Sequence, residues 1–392
     1  HDGLATLPDV TRTFLGLAGA GATVPMTATD TAGVDRQALV DADARTRVAD
    51  RSRTELVWLF VLLHLAGAVV AVRWSSARPA VACALLAVPS AAFLVMAVPW
   101  WRWGPWAAVV AGGSMSAMLA VGGAALCRRD VRAGVGALAA LAAAVVAVDA
   151  LFGGPLEIDA PFGNSPVVAG RFFGIGNIGS GFLVAGLLVA GGLALEAWGR
   201  RALPGVVVAL GAGLVALGAP WFGADAGGMV YGGLAGGVLV VGFVRGRVGA
   251  RWLAVLAVGA VLAVVVFALA DLVGGSGPAT HLGRAVAGDG VVDLAVRKGS
   301  RAVRSMTNPM ALIVVIGAVA LAVVRRTRAW PSPALRATGW ALLAAAVAGS
   351  VLNDSGVIVG AAVVAVAWPA LVVAGAARPA LAPVGTAAGP PP

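Results

Sequence analysis

The sequence predicts an all-α polytopic membrane bundle of about eleven transmembrane helices, led by a short remnant of an α/β domain outside the membrane. Three observations carry this. The 392 residues are 60% hydrophobic and only 12% charged, with a mean hydropathy of +0.93, whereas a soluble domain is about a quarter charged. Apolar runs approach or exceed the roughly 18–20 residues that cross a bilayer. The arginines gather in short turns between those runs, as they do at the cytoplasmic ends of membrane helices.

In chain order, residues 1–53 come first and stand apart, with seven Asp, six Arg and no apolar run of membrane length. Within them Val10, Phe14, Leu15, Leu17 and Ala18 repeat at helical spacing, with Asp9 placed as N-cap. Residues 30–53 are charged and predict a linker or a solvated helix leading into the membrane. The spans then fall at about 55–72, 79–99, 105–127, 132–151, 173–196, 203–220, 226–244, 252–273, 308–324, 335–351 and 356–375. Residues 54–376 thus form the membrane domain and 377–392 a Pro/Ala-rich cytoplasmic tail. A start at His1, with no signal peptide ahead of the first span, leads us to expect further chain upstream.

With the N-terminus outside, the inner turns carry fifteen arginines, among them Arg128, Arg129, Arg200, Arg201, Arg325 and Arg326. The outer loops then carry seven basic residues, five of them in one long loop. The positive-inside rule therefore gives an N-out, C-in, multi-pass protein of the cell membrane. The same placement accounts for the net charge of +10 without nucleic acid as a partner. Cys83 and Cys127 lie in apolar runs without metal-ligand spacing, and read as small core residues with no partner cysteine nearby.

The polar stretches that are not plain arginine turns all fall on the outer side. The first, "GRFFGIGNIGSG" at 170–181, has Gly174, Gly176 and Gly179 at the spacing of a dinucleotide fingerprint. The glycines open a membrane span instead of a soluble helix, and Glu196 lies at the opposite face, so that reading fails. Two roles stay open. Gly174, Gly179, Gly181, Gly186, Gly191 and Gly192 permit close helix packing. Alternatively, the turn Gly174, Gly176, Asn177 with Arg171 holds an anion at a helix start. Arg171 near hydrocarbon calls for an anionic partner: a ligand, Glu157, Asp159 or Asp225.

Asp225 precedes Gly227 and Gly228 at the mouth of a span, where it serves as an ordinary N-terminal acid or as a cation or proton group. Asn353, Asp354 and Ser355 interrupt a long apolar stretch, either as an external turn or as a broken-helix site. His64 lies inside the first span and is expected to hydrogen-bond a neighbouring helix. His281 sits in the outer loop beside Arg284, as a solvated residue or an acid–base group. In 291–306 an apolar face (Val292, Ala295, Val296, Gly299, Ala302, Val303, Met306) opposes Arg297, Lys298, Arg301 and Arg304. That pattern suits a helix on the outer leaflet, against anionic lipid headgroups. No motif makes a complete catalytic set, and no metal site is legible.

The opening "DGLATLPDVTRTFLGLAG" resembles the last helix of the alkaline phosphatase and sulfatase superfamily, with Asp9, Thr13, Leu15 and Gly19 in register and Arg12 where that phrase carries proline. The membrane part, through "RFFGIGN", "HLGR" and "NDSG", is similar to large bacterial proteins that carry such an extracytoplasmic domain ahead of a polytopic half. Ile178 stands where that group tends to have an acid. Loop lengths and the alanine, valine and arginine bias suggest a high-GC actinobacterium, and the resemblance implies a divalent metal, zinc above all, in an upstream catalytic domain. None of that domain's ligands or its nucleophile falls in residues 1–53. The function so implied is the membrane domain of an envelope phosphohydrolase or phosphotransferase acting on phosphorylated or lipid-linked substrates. A secondary transporter or lipid flippase is the rival, and a structural anchor the third reading. The expected outward polar site comprises Arg171, Asn177, Asp225, His281, Asn353 and Asp354.

Overall fold

The computed structural model describes residues 36–166, 174–273, 299–300, 303–325, 332–353 and 355–374. Among them are eleven α-helices of more than one turn and no strand beyond an isolated bridge between Ile158 and Asn164. They are α1 (Arg36–Arg73), α2 (Arg78–Leu94), α3 (Pro105–Cys127), α4 (Val131–Leu151), α5 (Asn177–Trp198), α6 (Leu203–Gly218), α7 (Ala226–Arg245), α8 (Ala250–Val273), α9 (Ala311–Arg325), α10 (Pro333–Leu352) and α11 (Val357–Ala374). Among the described residues nine stretches are long and apolar enough to cross a membrane. One of the nine is the 42-residue run Asn177–Gly218, which contains both α5 and α6. Ala311–Val324 is apolar but shorter. The chain is an all-α, membrane-embedded bundle.

The helix starts follow local chemistry. Asp130, Asp225 and Ser332 accept from Arg132 N, Gly228 N and Leu335 N and so cap α4, α7 and α10. Proline occupies the first turn of α2, α3, α6 and α10, where its missing N–H costs nothing. Between α5 and α6, Gly199 takes φ +58, a left-handed turn that a side chain resists.

Helices α5 and α11 form the centre. Nearly every residue of α11 is buried, and α5 packs against α4, α10 and α11. Small residues set these approaches: a Cβ at Gly186 would overlap the Ala139 carbonyl, and one at Gly192 would overlap the Thr338 hydroxyl. A Cβ at Gly181 would lie 2.6 Å from that of Ala362. In a lipid environment such close backbone packing replaces the hydrophobic drive between helices. The packing role of these glycines is therefore real. By contrast α3 and α8 lie at the rim, with few buried residues.

Two features bear on the sequence reading. Of the linker or solvated helix expected ahead of the span at 55–72, the structure has the helix, continuous with the span: α1 covers 38 residues, about 57 Å at 1.5 Å per residue. Asp41, Arg45, Thr46 and Arg53 in its polar half bond other parts of the chain. The second is a correction: Cys83 and Cys127 do not stand apart. Packing of α2 on α3 brings their Sγ atoms to 3.4 Å, both as free thiols.

Candidate functional site

The turn ahead of α5 is built by two loops. In the first, residues 152–166, Asp149 at the end of α4 accepts from Leu156 N through Oδ1 (2.8 Å) and from Gly154 N through its carbonyl (2.9 Å). Asn164 N then donates to Glu157 O (3.0 Å) and Asp159 N to Asn164 O (2.8 Å), closing the loop on itself. This fold directs the buried Glu157 to the start of α5, where Oε1 accepts the Gly176 N–H at 2.7 Å. Asn164 Nδ2 donates to Gly174 O (3.2 Å), and Ile175 N donates to Gly223 O in the second loop (2.9 Å). Among the described residues, the acceptor for the Gly176 N–H of the glycine turn is the chain's own Glu157 side chain. A Cβ at Gly176 would overlap Glu157 Oε1, so a side chain there would have to displace that carboxylate.

The second loop caps α7. Asp225 is buried, its N donates to Leu217 O (3.0 Å), and its Oδ1 accepts from Gly228 N (2.9 Å). Across from it, Asn353 ends α10 and accepts the Ser355 N–H at 3.1 Å. The two groups flank Gly227: a Cβ there would sit 3.4 Å from Asn353 Nδ2 and 3.5 Å from Asp225 Oδ1. Asn177 Nδ2 donates to Ser355 Oγ, which ties the start of α5 to the start of α11. Deeper in, Tyr231 Oη donates to Ser180 Oγ (3.0 Å), which donates to Asn177 O (2.9 Å). Val357 N, in the first turn of α11, donates to Ser305 Oγ (3.0 Å).

Three of the six expected site residues, Asn177, Asp225 and Asn353, therefore belong to one polar cluster where α5, α7 and α11 begin and α10 ends. Arg171, His281 and Asp354 lie outside the described residues, as do Arg297, Lys298 and Arg301. Arg304 is exposed within a helical stretch at 303–305. Asn164, Ser180, Tyr231 and Ser305 were not singled out by the sequence, Glu157 was named only as a possible partner of Arg171, and Ser355 only as part of the break at Asn353–Ser355. Tyr231 did leave a signal, being the chain's single tyrosine inside a glycine-rich span.

A polar seam fixes α1 beside this cluster. Asp159, fully buried and at φ +64, accepts from Arg45 Nε (3.1 Å) and Thr46 Oγ1 (2.8 Å) through Oδ2. Arg53 Nη1 donates to Gly163 O (2.9 Å), and Arg102 pairs with Asp41 at 2.9 Å. Burial pushes the Asp159 carboxyl above its ordinary value of 3.8, and Thr46 and Arg45 pull it back only in part. Asp159 then contributes stability that is complete below that value and lost as pH rises through the raised one. Asp159→Asn, which cannot titrate, is expected to fare better relative to the wild type at about pH 7.5 than at about pH 4. Thermal unfolding of both proteins across that range checks it, and a constant gap would refute it.

At the far end of α5, Glu196 accepts from Ser332 Oγ and lies 3.6 Å from Arg132 Nη2. Among the described residues no three His, Cys, Asp or Glu side chains form a group able to hold a metal ion. No family of known proteins, no curated protein and no solved structure matches the chain.

Proposed function

We propose that the chain is the membrane part of a cell-envelope protein, N-out and C-in with eleven crossings in the cell membrane. Its outward end positions the headgroup of a phosphorylated or lipid-linked substrate. The hydrolysis or transfer itself belongs to an extracytoplasmic phosphatase-like domain upstream, which supplies the divalent metal. The observation that carries the reading is the joining of three helix N-termini, those of α5, α7 and α11, with the amides of Asn177 and Asn353 and the hydroxyl of Ser355. Helix N-termini present N–H groups and a positive dipole end, and so favour anions. Glu157 and Asp225 each take one such N–H. The headgroup is then held by the side-chain amides, with Arg171, three residues before Gly174, supplying the cation.

The test is thermal stabilisation of the detergent-purified protein by a short-chain phosphatidic acid. Arg171→Ala and Asn177→Ala are each expected to weaken that affinity about tenfold, the equivalent of about 1.4 kcal/mol. Unchanged affinity in both variants would sink the proposal.

The transporter or flippase reading draws on Tyr231, which extends the polar cluster more than a turn into α7. Its donor chain, however, ends on the Asn177 backbone carbonyl, which braces the helices and passes no proton onward. Scrambling of labelled lipid that is lost in Asp225→Asn would favour transport over headgroup positioning. Silence at Asn177, Asp225 and Asn353 alike would leave an anchor.

A further inference from the structure

Cys83 lies in the second turn of α2 and Cys127 is the last residue of α3, yet their sulfurs are 3.4 Å apart. The surrounding sequence makes room for this approach. Helices α3 and α4 cross at Gly123 and Gly134, where a Cβ on Gly134 would overlap both the Gly123 carbonyl and Cys127 Sγ. A Cβ on Gly123 would reach Cys83 Sγ at 3.5 Å. Cys127 Sγ lies 3.6 Å from Val131 O, so the thiol packs back over the α3–α4 turn and towards α2. Cys83 is buried, whereas Cys127 is half-buried beside the exposed Arg128, Arg129 and Asp130. One thiol is open to a small reagent, and the second stands behind it.

We propose that Cys83 and Cys127 form a dithiol that closes into an intramolecular disulfide by exchange with a low-molecular-weight disulfide, fastening α2 to the α3–α4 hairpin. The Cys127 thiolate attacks one sulfur of the small disulfide, forming a mixed disulfide and releasing one small thiolate, which takes up a proton. Cys83 then gives up its proton, which the departing second small thiolate takes up. Its thiolate attacks Cys127 Sγ, the mixed S–S bond breaks, and the second small thiol leaves. Two protein thiols and one small disulfide thus become one protein disulfide and two small thiols. Closure to a bond of about 2.05 Å needs the sulfurs to approach by little more than 1 Å. The site is separate from the headgroup cluster and stands whether or not that reading holds.

The test uses the full chain in detergent micelles, incubated with oxidised glutathione, denatured, and alkylated with a mass-tagged maleimide. The untreated protein is expected to take two tags, and the oxidised protein none, with an intact mass lower by two hydrogens. Cys83→Ser should instead stop at the glutathione adduct on Cys127. Cys127→Ser should keep one tag on the buried thiol and gain no adduct. Two tags on the oxidised wild type, a stable glutathione adduct on it, or disulfide-linked dimers would each overturn the proposal. Gly134→Ala supplies a second measure: crowding Cys127 Sγ should slow closure at least several-fold, while the denatured variant still reports two tags before oxidation.

Discussion

Replacing His64 with leucine is expected to destabilise the bundle by about 1–3 kcal/mol, the cost of stranding a buried acceptor. Much of that cost should vanish when Pro369 is also replaced by alanine. The reason lies in α11. Pro369 sits inside this helix and has no N–H, so the Ala365 carbonyl four residues earlier loses its helical donor. Within a membrane no water is available to replace it. His64 of α1 reaches across with Nε2 at 3.3 Å from that oxygen, wholly buried, its ring edge-on to Phe60 at 4.3 Å and near Trp368 at 6.2 Å. Its Nδ1 is 2.9 Å from Phe60 O, but that carbonyl already has the His64 backbone N–H of its own helix. The pairing requires the one N–H of the neutral ring to be on Nε2, towards Ala365 O, the oxygen without another helical donor, although Nδ1 lies closer to its own carbonyl. In Pro369→Ala the restored amide answers Ala365, and the histidine becomes dispensable there. A double-mutant cycle by detergent unfolding should return a coupling of about 1 kcal/mol, within the range for interhelical hydrogen bonds in membranes. Equal costs of His64→Leu in both backgrounds would dismiss the pairing.

The sequence foretold that His64 would bond a neighbouring helix but not which one, and this difference runs through the whole structure. Where an element is decided by local composition, it was legible. The apolar runs that became α3, α4, α7 and α10 were located to within a few residues, and the N-cap role of Asp225 needs only the next three residues of chain. What depends on the rotation of one helix against another left no trace in a linear pattern. Residues 36–53 read as a linker or a solvated helix, with no way to tell which, because their polar groups had no visible partners. Those partners are Asp159, Gly163 and Arg102, dozens of positions away. The two cysteines looked solitary for the same reason.

The candidate site divides along that line too. Asn177, Asp225 and Asn353 were conspicuous because each is a polar residue at an edge of an apolar span, where burial demands a reason. Ser180 and Ser305 are small, common and tolerable in any membrane helix, so nothing distinguished them until Tyr231 and Val357 were seen to bond them, whereas Ser355 stood out in the Asn353–Ser355 break but without its bond from Asn177. Glu157 is the most instructive case. It was named as one of several acids that could answer Arg171, which lies outside the described residues; the sequence did not show that its carboxylate also accepts the Gly176 N–H of the glycine turn.

The weight of that bond can be measured. Glu157→Ala should cost about 2–4 kcal/mol, because it leaves the Gly176 N–H without its charged acceptor and empties the space between Asn164 and Gly179. Glu157→Gln keeps a carbonyl oxygen for the same N–H and nearly the same volume, and loses only the charge at the start of α5. A carboxylate at a helix N-terminus contributes about 0.3–1 kcal/mol when exposed and up to about 2 kcal/mol when partly buried. The glutamine variant should therefore retain at least half of the lost stability. Hydrogen exchange at the amides of Gly174 to Ile178 should rise sharply in Glu157→Ala and modestly in Glu157→Gln, with the far end of α5 at Glu196 unaffected. If the two substitutions are equally damaging, charge and not the hydrogen-bonding oxygen holds the turn, and a free anion could do the same work in the alanine variant. Phosphate added to Glu157→Ala would then restore stability, which it should not do if shape and acceptor position decide.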